Sequence, residues 1–533
     1  MAEGTTERAA AAHAGLKAHT SFTNIVVSTS SFTLCERRCQ DKNNVADCGQ
    51  LICAAALASY NYGYSNNVIA GTLAQVTFNQ KFLSGSNANM LIDSIVSGFF
   101  GAALIGSIVQ AYISNRWGRK SVNRVAAVLV TIGNTLQAGA PHIAMFLVGR
   151  YITGFGCGMI ITNTPVYLSE ISPAHSRGLL VGLQGNFIVF GYISSSCAAL
   201  GFHFVSEAYQ WRLNYIIAAF LGLCLLVSLL FLPESPRWLV EANRSSEAGE
   251  ILHNIHKTKH DPNGRVARAE LSQIVAQVEH DRSQPRSWAF IFRTPSMRKR
   301  LVCTLLVWSM AQSTGITVLA NLTPRLFGAL GYDTILQLTL ALVWTVCLFL
   351  GCFVNIWLID RIGRVKLIVA GGWGMAILVA IQAALQSQYL SSSNLAGVRA
   401  AVAIYFLIAF YFCCTLECVG YVYGCEIWPT HLRSKGSAIS YFGFYVFSIW
   451  TTAPAAQAFG SIGWKYYIVF ICVTVALTIP CMFMLPETAG VSLEEIALKF
   501  GDEVALDFEH ALDTKESSTH VETADSNLRD TTE

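Results

Sequence analysis

Glu170-Ile-Ser-Pro173-Ala-His-Ser-Arg177 occurs once and then returns as Glu426-Ile-Trp-Pro429-Thr-His-Leu-Arg433. Three more stretches repeat at a similar offset. Asn115-Arg116-Trp-Gly118-Arg119-Lys120 returns as Asp360-Arg361-Ile-Gly363-Arg364-Val365, Trp211-Arg212 as Trp464-Lys465, and Pro233-Glu234-Ser235 as Pro486-Glu487-Thr488. The order is kept in all four pairs. Self-similarity on that scale, in a chain this apolar, implies two membrane-embedded halves built on one plan.

The apolar character is quantitative. Of 533 residues, 53% are hydrophobic and 13% charged, against about 25% charged in an average soluble chain. Mean hydropathy is +0.45. These values define a polytopic membrane protein, and two similar halves around a central site are the plan of many secondary transporters. A net charge of +3 with no basic stripe speaks against nucleic acid as a partner. The expected partners are the lipid bilayer and a small solute, with protons as candidates. Most of the 16 cysteines lie inside apolar runs, among them Cys197, Cys224, Cys347, Cys352, Cys413, Cys414 and Cys472. There they read as small core residues rather than bridges. Cys35 and Cys39, in the polar N-terminal arm, are left unassigned. No CxxC pair has a matching second pair, so no metal site is expected.

A transmembrane helix needs about 20 mostly apolar residues. Twelve stretches qualify: 49–70, 90–113, 122–140, 143–164, 179–201, 212–232, 300–322, 335–359, 366–386, 399–424, 437–457 and 465–485. The second, seventh and tenth carry polar residues, and Pro454 breaks the eleventh. No short apolar run lies near Met1, so a cleavable signal peptide is not expected. Orientation follows from the loops. Arg116, Arg119, Lys120 and Arg124 cluster after the second span, twelve Lys or Arg fall in 234–300, and Arg361, Arg364 and Lys366 follow the eighth. The alternate loops hold almost none. Both termini and the central loop are therefore expected in the cytoplasm, which leaves the Asn243-Arg-Ser sequon unused.

The predicted organisation is an arm over 1–47, a six-helix bundle over 48–232, a linker over 233–299, a second six-helix bundle over 300–486, and a tail over 487–533. Charges at helical spacing in 243–283 predict short amphipathic helices in the linker. The tail is acidic and Ser/Thr-rich from 514, a composition that cannot bury a core.

The repeated Asn/Asp-Arg-x-Gly-Arg element falls in a tight cytoplasmic turn. Glycine permits the turn, and the arginines can reach Glu170 and Glu426 at neighbouring helix ends. Positive-inside topology alone accounts for the charges but not for the Gly, the spacing or the matching Glu-x-x-Pro-x-x-x-Arg partner. Arg116, Arg119, Glu170, Arg177, Asp360, Arg361, Arg364, Glu426 and Arg433 are therefore candidate gate residues. His175 and His431, in matching turns, read as structural.

More motifs accompany these: Gly63-Tyr64 on the first span, Gly149-Arg150-Tyr-Ile-Thr-Gly154-x-Gly156 on the fourth, and Pro165-x-Tyr167-x-x-Glu170 with Arg177-Gly178. Pro233-Glu234-Ser-Pro236-Arg237-Trp238-Leu239 and Pro486-Glu487-Thr-Ala-Gly490-Val-Ser-Leu493-Glu494-Glu495 complete the set. Together, over about residues 48–500, the chain resembles a sugar porter of the major facilitator superfamily, of the fungal hexose and polyol type. The resemblance implies an all-α membrane protein of twelve transmembrane helices in two pseudo-symmetric six-helix bundles. It also implies a central site, rocking alternating access and a plasma-membrane location.

It further implies a pocket, from which this sequence departs. Gln184 and Gln312 stand where the family's sugar-binding glutamines stand, and both amides can donate to and accept from hydroxyls. The family's double Gln is Ala311-Gln312 here, its following Asn is Thr317, and its aromatic pair is Ala320-Asn321. Its Asn on the eighth span aligns with Leu348, and its Trp on the tenth with Tyr421. Gln184, Gln312, Thr317, Asn321 and Tyr421 are the candidate solute ligands. A buried polyol hydroxyl without a partner costs about 1–3 kcal/mol, so the changes argue against a plain hexose.

Coupling departs too. Where proton-coupled members resemble one another in Gly-Tyr-Asp, this chain reads Gly63-Tyr64-Ser65-Asn66-Asn67. The partner cation Arg150 remains. Either Asn66, Ser65 and water satisfy it, or an anionic solute group does, or it is a positioning residue near its helix end. Glu417 lies inside the tenth span, where an ionisable group is a functional candidate by default. It reads as a proton carrier, a grip for a cation, or a protonated Glu bonded to a neighbour. Asp93, near the outer start of the second span, is a weaker coupling candidate.

Three functions follow: a sugar-porter-type secondary transporter of a sugar or sugar-like solute, a carrier of a non-sugar metabolite on the same scaffold, and a non-transporting nutrient sensor. Nothing points to an enzyme or a cofactor: no nucleophile elbow, nucleotide loop or haem ligand pair is found.

Overall fold

A computed structural model of the full chain describes residues 42–171, 177–207, 209–256, 265–283, 287–389, 394–429, 432–489 and 493–501. Cys35, Cys39, His175, His431 and the tail beyond Gly501 lie outside the described residues, as do the side chains of Arg177 and Asp360.

Among the described residues every regular element is helical. The first half contains α1 (Lys42–Ala74), α2 (Ala88–Trp117), α3 (Arg119–Gly139), α4 (Ile143–Ile171), α5 (Arg177–Phe202) and α6 (Gln210–Phe231). The second contains α7 (Pro295–Ser313), α8 (Ile316–Ala329), α9 (Thr334–Ile362), α10 (Arg364–Tyr389), α11 (Leu395–Phe412), α12 (Cys418–Glu426), α13 (Arg433–Thr452), α14 (Ala455–Ser461) and α15 (Tyr466–Met484). Short helices at 236–241, 245–256, 265–283 and 288–293 lie in the linker; the second and third fall within 243–283, where charge spacing predicts helices.

Each expected apolar stretch falls mainly on helical backbone, three of them with an interruption. By length and hydropathy, nine helical segments among the described residues suffice to cross a membrane. The segments that fall short, α1, α3 and α13, turn polar side chains inward. Asn123, Asn134 and Gln137 of α3 are all buried, which lowers hydropathy without putting polar groups in lipid. The outer faces are apolar: Phe231 and Phe483 are 74% and 81% exposed. Such surface is costly in water and neutral in a bilayer.

Three spans are interrupted. The expected helix 300–322 ends at Ser313 and restarts at Ile316, because Gly315 adopts a left-handed φ of 77°. The segment 399–424 contains a π-helical turn, Cys413–Glu417, between α11 and α12. The eleventh stops at Thr452, before Pro454, which has no N–H to donate.

In the first half α4 packs on α2 and α3, and α1 on α5. In the second α7 packs on α13, and α10 on α15. The seam between halves is made by α2 on α13, α5 on α9 and α1 on α8.

Candidate functional site

The repeated motifs build the same cluster twice. Gly118 and Gly363 have φ of 92° and 99°, and each is followed by a helix whose first residue is an arginine. The first amides of a helix have no partner inside it. Here a carboxylate from a distant segment supplies one. Glu234 Oε1 accepts from the Arg119 and Lys120 amides at 3.0 and 3.1 Å. Glu487 accepts from the Arg364 and Val365 amides at 2.9 and 3.0 Å. Negative charge at a helix start also complements its dipole.

The arginine side chain completes each cluster. Arg119 Nε and Nη2 lie 2.8 and 2.9 Å from the two carboxylate oxygens of Glu170. Arg364 Nη2 lies 3.2 Å from Glu426. Ser235 donates to Glu170 at 2.5 Å, and Thr488 to Glu426 at 2.8 Å. Tyr167 and Tyr423 donate to the carbonyls of Pro233 and Pro486. Each cluster is thus assembled inside one half. Arg116 is exposed, and Arg361 stacks on Trp357 with its guanidinium carbon 3.9 Å from the ring centroid. Arg119 and Arg364, the arginines after the glycine, thus reach Glu170 and Glu426. Arg433 opens α13 on the same rim. A bond between halves also forms there, from Ser434 to Asn115 Oδ1 at 3.4 Å.

The two carboxylates differ electrostatically. Burial dominates at Glu234 and raises it above the ordinary carboxylate range, against the Ser235, Lys120 and Arg119 amides and the Arg119 charge. Burial also acts on Glu487, but four amides, those of Ala489, Arg364, Val365 and Thr488, prevail and hold it below that range.

At the centre, Gln184 is buried and neither of its amide atoms has a partner among the described residues. Gln312 Oε1 accepts from Thr317 Oγ1 and, at 3.2 Å, from Ser448. Asn321 donates to the Thr317 carbonyl one turn back at 2.8 Å. Gln312, Thr317 and Asn321 therefore join across the Gly315 break, and part of their capacity is already used. Tyr421 OH donates to Glu417 Oε1 at 2.9 Å. Its ring packs 5.0 Å from Trp308, which stacks with Tyr441 at 6.1 Å. Within 412–421, Glu417 alone keeps partial exposure. Its carboxylate is within electrostatic reach of the hydroxyls of Tyr62 on α1 and Tyr192 on α5. A Cβ on Gly185 would lie 3.1 Å from Cys418 Sγ, which sets the Gln184 turn of α5 beside the π-turn.

Arg150 is fully buried and donates to the main-chain carbonyls of Ser65 and Asn66 at 2.8 and 3.2 Å. Its guanidinium lies 4.2 Å over Phe99. The carbonyls, not the Ser65 and Asn66 side chains, carry the charge. Asp93 bridges the halves: its two oxygens accept from the Ala456 and Gln457 amides of α14 at 2.6 and 3.2 Å. Beside it Arg325 donates to Asn89 at 2.8 Å. Between α1, α5, α8 and α9 there remains a gap of only about 10 Å³, room for one water.

Sequence reasoning missed the tyrosine cluster and the π-turn. It also assigned no role to Glu234, Ser235, Glu487 and Thr488, although the Pro-Glu-Ser/Thr repeat contained the signal.

Two helical halves with duplicated rim clusters and buried polar groups between them define a membrane transport protein of major facilitator type. Residues 51–500 match the family described as "Sugar (and other) transporter", and the chain belongs to it. It is 31% identical over 461 residues to the MFS-type transporter criB of Aspergillus cristatus, covering 86% of this chain and 94% of that one. It is 30% identical to the high-affinity glucose transporter of Kluyveromyces lactis, covering 77% of each. The fold matches the proton:xylose symporter XylE of E. coli with a TM-score of 0.74 and 24% identity, over 86% of this chain and 100% of XylE. The protein is a multi-pass membrane transporter of sugar-porter type that takes a small-molecule solute.

Proposed function

We propose that the chain carries its solute by alternating access between bundles 48–232 and 300–486, in the plasma membrane with both termini cytoplasmic. The observation that supports this most is the duplicated cluster: Gly118, Arg119, Glu170 and Glu234 against Gly363, Arg364, Glu426 and Glu487. Each half is pinned internally at one rim, and Ser434 meets Asn115 there across the seam. That is the construction expected of two rigid bodies that rock. The solute site is Gln184, Gln312, Thr317, Asn321 and Tyr421, with Glu417 as the coupling residue.

A non-sugar solute is the second reading. Gln312 is engaged by Thr317 and Ser448, and Tyr421 by Glu417, so fewer free amides face a polyol than a hexose site needs. Uptake and counterflow in cells lacking their own hexose carriers test both. Saturable counterflow of any solute, slowed in the Arg119→Ala variant, is the expected result for transport. Glucose flux competed by other hexoses selects the sugar. Solute binding without flux would overturn transport in favour of a sensor.

A further inference from the structure

Glu417 is the unusual group in the second half. It sits where the π-turn Cys413–Glu417 meets α12, and single π-turns within α-helices are frequent at functional sites. Every residue on either side of it, from Phe412 to Leu416 and from Cys418 to Tyr421, is buried, whereas Glu417 is not. The side chain is therefore less tightly enclosed than its neighbours. Among the described residues one hydrogen bond reaches it, from Tyr421. Among the described residues no Lys, Arg or His pairs with it; Arg150, the buried cation of the first half, is committed to the Ser65 and Asn66 carbonyls and to Phe99. A carboxylate inside a membrane protein without a counter-cation is expensive.

Its surroundings are aromatic. Tyr421, Trp308 and Tyr441 form one packed group, and the hydroxyls of Tyr62 and Tyr192, from the other half, lie within electrostatic reach of the carboxylate. Ring faces attract organic cations, most strongly where water is excluded. Gln184 adds a buried amide with no partner among the described residues, on the α5 turn packed against Cys418. A carboxylate lacking its cation, aromatic rings close by and one free amide are complementary to an aromatic amine: ammonium on Glu417, ring among the tyrosines, one polar substituent on Gln184. A neutral hexose would use the amide but leave the charge uncompensated.

We infer that the central site takes a solute of this class, an aromatic or heteroaromatic molecule bearing a protonated nitrogen. The inference rests on the reading of this site as the solute site. The test uses the full chain in lipid nanodiscs and thermal unfolding with three probes: phenethylamine, its uncharged isostere 2-phenylethanol, and glucose. Phenethylamine is expected to stabilise the protein at concentrations where the alcohol and glucose do not. Glu417→Gln, nearly isosteric, should keep its own unfolding temperature and weaken amine binding at least tenfold. Tyr421→Phe provides a second variant, with a smaller loss. Equal binding of amine and alcohol, amine affinity unchanged in Glu417→Gln, or stabilisation by glucose alone would each overturn the inference. Counterflow separates this failure from that of transport: a neutral solute that is carried refutes only the class, whereas no flux of any solute refutes the transport reading.

Discussion

The carboxylate of Glu234 fills the place that a side chain on Gly118 would need. A Cβ built on Gly118 would lie 2.4 Å from Glu234 Oε2. The same relation holds in the second half, where a Cβ on Gly363 would lie 2.8 Å from Glu487 Oε2. The glycine is thus required for two reasons. Its backbone, φ 92° and ψ 167° at Gly118, belongs to a region that only glycine adopts readily, and its missing side chain lets the carboxylate reach the amides of the next helix. The turn, the helix start and the acid come from segments far apart in the chain, so the repeat is an interlocked unit.

Substituting Gly118 should therefore be costly in an otherwise tolerant turn. Gly118→Ala combines backbone strain, about 1–3 kcal/mol, with displacement of the Glu234 carboxylate. Thermal unfolding of the purified protein should show a lower midpoint than the parent. Gly331→Ala is the control, because no atom lies within 4 Å of the Cβ position there although φ is 90°. Equal losses at the two positions would mean that backbone strain alone operates and that the carboxylate is not held in place.

The two arginine pairs should not be equivalent. Arg119 and Glu170 are 5% and 9% exposed and meet through two contacts, whereas Arg364 and Glu426 are 12% and 28% exposed and meet at 3.2 Å. Removing one partner of a buried pair costs about 3–5 kcal/mol because the other charge is left uncompensated; a more exposed pair is worth far less. Arg119→Ala should lower the unfolding midpoint more than Arg364→Ala does. Both should slow counterflow, and Arg116→Ala, at an exposed position, should leave the unfolding midpoint unchanged. A larger loss for Arg364→Ala would reverse the ranking of the two halves.

The opposite shifts of Glu234 and Glu487 predict opposite acid responses. Glu487 is held low, so its stabilisation is complete above the unfolded value of about 4.3 and disappears as pH falls below it toward the folded value. Glu234 is held high, so its ionisation opposes folding as pH rises from that same unfolded value through the folded one. Acidification should loosen the Gly363 turn and spare the Gly118 turn. Hydrogen exchange at the Arg364 and Val365 amides, corrected for the intrinsic rate, should accelerate on going to acid, while the Arg119 and Lys120 amides should not. Glu487→Gln should abolish the difference.

How far the sequence foresaw this depends on whether a feature is written as periodicity or as packing. The spans were legible because apolar stretches long enough to cross a bilayer are written in the sequence itself. The pairing of a basic turn with Glu170 and Glu426 was legible because its motif is duplicated. The choice of Arg119 and Arg364 over Arg116 and Arg361 was not, since it depends on which side of Gly118 or Gly363 faces the bundle. The Gly315 break and the π-turn were hidden inside apolar runs, where a change in helix register leaves hydropathy unchanged. Glu417 stood out as a lone acid, but its tyrosine neighbours come from four other helices and share no local pattern.

Asp93 offers the last test, because its partner lies wholly in the other half. Its two oxygens accept from the Ala456 and Gln457 amides, at the start of a helix that Pro454 creates by ending the one before. A bond to a charged acceptor is worth about 1.5–3 kcal/mol, twice that of a neutral one. Asp93→Asn keeps the shape, replaces one acceptor by a donor aimed at an N–H, and removes the charge. Opening of the seam between α2 and α14 should then become easier by at least about 1.4 kcal/mol, a tenfold change. Hydrogen exchange at Ala456 and Gln457 should accelerate by about that factor while the buried amides of α4 remain unchanged. Counterflow should shift toward faster exchange from the side on which Asp93 lies, and the Asn89–Arg325 bond nearby limits how far. Unchanged exchange at both amides would show that the contact follows closure of the two halves and does not hold it.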